Sequence, residues 1–99
     1  MNVAALKSYV VEKIKRQDND TLHKIDLFNK MFENHLINRN HLLKACINDY
    51  YSKKYKENLK EETNSIQRDT VLDVSIKFEI SKTTVENCIY KFSHIRLDF

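Results

Sequence analysis

The chain predicts an all-α fold of about five helices around one core. Three observations carry that expectation. The 99 residues contain no glycine and no proline. Apolar residues recur at three- and four-residue steps along most of the length, and polar clusters interrupt the rhythm. Globular chains usually hold roughly 7% Gly and 5% Pro, which supply most tight turns and helix stops. Without them an all-β fold is very improbable. A Gly-rich phosphate loop is excluded too, because no residue lets the backbone approach a pyrophosphate closely, and nucleotide hydrolysis by that route goes with it. The length suits a single domain over 1–99, with an N-terminal helical part over 1–64 and a second unit over 66–94.

The first helix is expected from about Asn2 to Arg16, where Val3, Leu6, Val10 and Ile14 form one apolar stripe. Asp18, Asn19, Asp20 and Thr21 make a polar break, with Asp20 or Thr21 suited to cap the next helix. That helix, about Leu22 to Leu36, aligns Leu22, Ile25, Phe28, Phe32 and Leu36, with Met31 beside them. Its large apolar side chains mark it as the centre of the core. Asn38 to Asn40 interrupts the pattern and supplies caps for a third helix from about His41, with Leu43, Ile47 and Tyr50 on one stripe and Leu42, Cys46 and Tyr51 adjoining it. From Ser52 to Ser65 the chain is rich in Lys and Glu, including Glu61 and Glu62, with few apolar anchors. It reads as a solvated helix end or a linker.

The formal charge is +3, unevenly spread: residues 1–64 hold 12 Lys/Arg against 9 Asp/Glu, and residues 65–99 hold 5 against 5. Cys46 and Cys88 sit in apolar helical patterns, and the first 16 residues carry four Lys/Arg and no continuous apolar run, so free thiols in a cytoplasmic protein are expected. No stretch approaches the ~18 apolar residues of a membrane span.

From Val71 the sequence reads VLDVSIKFEISKTTVENCIY, a short helix, a break at Glu79 to Ser81, and a second short helix. Counting Val71 as the first of twenty positions, the inward fourth and eighth are Val74 and Phe78. The fifth, where two helices approach closely, is the small Ser75. The tenth, fifteenth and eighteenth are the apolar Ile80, Val85 and Cys88. Ser81 is a good N-cap for the second helix. This pattern resembles the helix-turn-helix family of DNA-binding proteins, especially its small phage, repressor and transposase domains. It departs from the family at the ninth position, often Gly because the backbone there is left-handed, and here Glu79 at a cost of roughly 1 kcal/mol.

The resemblance implies that the second helix enters a major groove of double-stranded DNA, with Ser81, Lys82, Thr83, Glu86 and Asn87 meeting base edges and Tyr90 a turn further on. Asn can pair with adenine, Lys can reach guanine, Glu can accept from cytosine N4, and Thr can contact a thymine methyl. Arg68, Lys77, Lys91 and Arg96 are candidates for phosphate contacts, as are Lys53, Lys54, Lys56 and Lys60. A homodimer would double the contacts, using Phe28, Met31 and Phe32, or Val3, Val10 and Ile14, as its surface. Transcriptional or replication regulation in a bacterium or phage follows as the expected role.

Other constellations point elsewhere more weakly. His35, His41, Cys46 and Asp49 are ligand types within fifteen residues but lack the tight paired spacing of a zinc site. Neither cysteine has an activating neighbour in sequence, so no catalytic residue, metal or cofactor is expected. Tyr50, Tyr51 and Tyr55 interleave with Lys53, Lys54 and Lys56, which suits either base stacking or an amphipathic helix with half-buried rings. The alternative to DNA binding is a non-enzymatic helical module that docks a protein partner, for which the apolar tail Ile95, Leu97, Phe99 offers an edge.

Overall fold

The computed structural model describes residues 2–17, 21–60 and 65–97, which form five helices and no strand. They are α1 (Val3–Gln17), α2 (Thr21–Glu33), α3 (Arg39–Leu59), α4 (Ile66–Phe78) and α5 (Lys82–Lys91). The expected break at Asp18, Asn19 and Asp20, the capping side chain of Thr21, and Glu61, Glu62 and Phe99 lie outside the described residues.

Asn2 caps α1 by accepting from the Ala5 N–H at 3.1 Å. Its own N–H donates to the Phe78 carbonyl at 3.2 Å, which ties the start of α1 to the end of α4. Leu6, Val10 and Ile14 are buried, as their spacing demands.

The second helix differs from expectation. It ends at Glu33, and the chain turns through His35 in the left-handed region, φ 58°. Of the five residues on its apolar stripe, Phe28 and Phe32 are buried and Ile25 is half-buried, while Leu22 is 85% and Leu36 70% exposed. The reason is placement: α2 packs chiefly on α1 at one side of the molecule, so only its middle turns meet the core. Periodicity reports which face is apolar and not how much of that face a neighbour covers. The assigned dimer surfaces fail for the complementary reason, since Phe28, Phe32, Val10 and Ile14 are spent on the core and Met31 and Val3 are half-buried beside it.

The centre of the core is α3. Asn38 caps it, accepting from the His41 N–H at 3.1 Å, and the helix runs without interruption through the Lys- and Glu-rich stretch to Leu59. Leu43, Cys46 and Ile47 are buried against Val71, Val74 and Phe78 of α4 and Val85 and Cys88 of α5, in one cluster with the α1 and α2 side chains. Tyr9, Tyr50 and Phe78 meet edge to face with ring centroids 5.6 to 5.9 Å apart, the favoured aromatic geometry. Ile95 is buried and Leu97 is half-buried against this cluster, so this part of the apolar tail is covered and not an open edge. Among the described residues, no helix is long and apolar enough to cross a membrane.

Candidate nucleic-acid interface

The three residues between α4 and α5 set the direction of α5. Glu79 takes the left-handed backbone, φ 53° and ψ 53°, and caps α4 by donating its N–H to the last-turn carbonyls of Ile76 and Ser75. Ile80 donates its N–H to the Ser75 carbonyl at 3.0 Å, closing the helix end. Ser81 is extended, and its hydroxyl oxygen accepts from the Thr84 N–H at 3.1 Å as the N-cap of α5. Ser75 is buried, and its hydroxyl donates to the Leu72 carbonyl at 2.8 Å, so a small polar residue sits in the packed core without an unsatisfied group.

With Val85 and Cys88 buried, the 100° step of a helix places Thr83 and Tyr90 at the middle of the opposite, outward face, with Asn87 and Glu86 flanking them on either side. Thr83, Tyr90 and Asn87 are exposed, as are Ser81, Lys82, Glu86 and Lys91. Two grooves flank this face. Toward α4, Lys82, Glu86 and Tyr90 share a groove with Gln67 and Arg68. Gln67 donates a hydrogen bond to the Tyr90 hydroxyl, which holds the phenol ring at the rim. Toward α3, Thr84 and Asn87 share a groove with Asn40 and Lys44, whose ammonium stands 4.0 Å from the centroid of the Phe92 ring.

The expected phosphate contacts do not all gather here. Arg68 borders the groove with Lys82, donating to Ser65 Oγ at 3.1 Å. Lys91 is exposed in the last turn of α5. Arg96 turns back to Ser52 at 3.4 Å. Lys77 stands elsewhere, 5.8 Å from the Tyr50 ring centroid in a cleft with α1 and α3, and Lys53 lines that same cleft. Lys54 is engaged with Glu57 at 3.2 Å.

Gln67, Asn40 and Lys44 were not singled out from sequence. Gln67 had a signal: Ile66, Thr70, Val74 and Phe78 recur at four-residue steps and extend the helix back beyond Val71, although the buried Thr70 disguises the stripe. Asn40 and Lys44 had none, because only folding brings them beside Asn87.

The tyrosine and lysine run on α3 is an amphipathic face. Tyr51 and Tyr55 stack at 5.9 Å, and burial, then the neighbouring Tyr90 and Tyr55, raises the Tyr51 hydroxyl above its usual range. Among the described residues no three His, Cys, Asp or Glu side chains are placed to share a metal ion. His35 and His41 are exposed, Asp49 is occupied by Tyr9 and Lys13, and Cys46 is a buried free thiol pushed up to about 12 by burial and then by Asp49.

Compared with family models, curated proteins and solved structures, the chain matches none.

Proposed function

We propose that this protein binds double-stranded DNA sequence-specifically through α5 and acts as a transcriptional or replication regulator in the cytoplasm. The observation that carries the reading is the outward face of α5. Thr83 and Tyr90 at its middle, with Asn87 on one side and Glu86 and Lys82 on the other, are hydrogen-bonding side chains on a short helix whose other face is anchored by Val85 and Cys88. A helix of ten residues standing on a core by one face is the size that a major groove admits. The capped turn at Glu79 and Ser81 supports it by giving that helix one orientation. Two buried free thiols, Cys46 and Cys88, suit a reducing compartment.

Thr83, Asn87, Glu86 and Lys82 are the assigned base readers, with Arg68 and Lys91 on phosphates. The balanced charge of residues 65–99 fits a reader whose affinity depends on matched bases more than on nonspecific phosphate attraction. The decisive experiment is selection of the purified protein against random duplex DNA at physiological salt. An enriched motif supports the reading, a palindrome with half-sites one turn apart adds a dimer, and a folded protein that enriches nothing overturns it.

A second reading, docking of a protein partner by the same helix pair, has one observation in its favour. Leu72 and Ile76 stand exposed one turn apart on α4, Ile76 at 66%. Loss of capture by a Leu72→Ser, Ile76→Ser variant with an unchanged circular dichroism spectrum would support that alternative.

A further inference from the structure

The cleft among α1, α3 and α4 lies apart from the α5 face and draws basic side chains from three helices. Its floor is a closed polar network: the Tyr9 hydroxyl donates to Asp49 at 2.5 Å, and Lys13 pairs with the other oxygen of the same carboxylate. Lys13 and Asp49 therefore cancel. Around this neutral floor stand Arg16 from α1, Lys53 from α3 and Lys77 from α4, all exposed, with Glu12 as the one further acid among the described residues of the lining. Like charges brought together by tertiary packing repel one another and create a focused positive potential. The chain's net charge is only +3, so a surplus at one cleft is a concentrated feature.

We propose that this cleft is an anion site for a phosphoryl group. Its volume is about 230 Å³, against roughly 30 Å³ for one water, which admits a tetrahedral oxyanion. Donors approach from three helices, which matches an anion with several oxygens in three dimensions better than a planar carboxylate. Arg16 supplies a fork suited to two of those oxygens, and Lys53 and Lys77 supply point charges. Lys77 is held at the rim by its contact with the Tyr50 ring. The phosphoryl group belongs either to a free phosphate ester or to a nucleic-acid backbone.

The test is an amide NMR titration of the full chain, first with inorganic phosphate and then with a short DNA duplex. Saturable shifts at residues 8–16, 49–53 and 77 with phosphate mark a free-anion site, and the same shifts with duplex alone mark a backbone site. Arg16→Gln with Lys53→Gln weakens either by at least about tenfold, the effect of one lost charge-assisted hydrogen bond. Lys30→Gln, an exposed lysine of α2 outside the cleft, leaves it unchanged. Absence of shifts at these residues with both probes, or equal loss with Lys30→Gln, overturns the proposal. Duplex shifts confined to α5, with none at the cleft from phosphate, overturn it while leaving the DNA reading of α5 intact.

Discussion

The side-chain amide of Asn48, buried in the middle of α3, donates to the backbone carbonyl of Phe92 at 2.9 Å. The same nitrogen donates to the Ile95 carbonyl at 2.9 Å, and the Asn48 oxygen lies 3.5 Å from the Cys88 thiol. One polar residue on the central helix thus satisfies the end of α5 and the turn after it.

Asn48→Leu takes the side-chain donor from the Ile95 carbonyl and one of two donors from the Phe92 carbonyl, which keeps the Ile95 N–H at 3.0 Å. We expect a loss of about 2 kcal/mol, read as a lower urea midpoint at unchanged m value. A midpoint shift under about 0.5 kcal/mol would show that water reaches those carbonyls instead.

Glu79→Gly removes a side chain from a left-handed position and stabilises the fold by about 1 kcal/mol, since glycine meets no Cβ penalty there. Glu79→Val does the reverse. If both variants unfold at the same urea concentration, the backbone at this turn carries no penalty.

Ser81→Ala deletes the cap of α5 and costs about 1 kcal/mol, whereas Ser81→Asp retains stability because aspartate also caps. Thermal melts of the three proteins order them directly.

Burial, then Asp49, with Lys13 opposing, pushes the Cys46 thiol from its ordinary 9.0 up to about 12. The folded value is the higher one, so the unfolded chain loses its proton first. The stabilisation is complete below pH 9.0 and declines as pH rises toward about 12. Tyr9, raised by burial and its hydrogen bond to Asp49, acts in the same direction above 10.0. Urea midpoints should hold level to about pH 9 and then fall, less steeply in Cys46→Ala; a level profile to about pH 11 would contradict the assignment.

Asn87→Ala should cost ~1 to 3 kcal/mol on the selected DNA site and relax preference at one base pair. Arg68→Ala should weaken all sequences alike and reduce the salt slope by about 1, while Lys30→Ala, an exposed lysine of α2 away from both the α5 face and the cleft, should leave both unchanged. Equal effects of Arg68→Ala and Lys30→Ala would refute the arrangement of the face.

Local patterns in the sequence determined a good deal on their own. The absence of Gly and Pro together with three- and four-residue spacing is enough to specify an all-α chain, because helix periodicity is a local property. The caps at Asn38 and Ser81 and the left-handed turn at Glu79 are equally local, each depending on residues within about one helical turn. The tertiary structure alone decided what depends on neighbours distant in sequence. It made α3 and not α2 the central helix, left Leu22 and Leu36 in solvent, and gathered Asn40 and Lys44 beside Asn87. It carried Lys77 away to a cleft with Arg16 and Lys53. A side chain's period says which way it faces along its own helix; whether another helix, a like charge or water meets it there is settled only when the chain closes on itself.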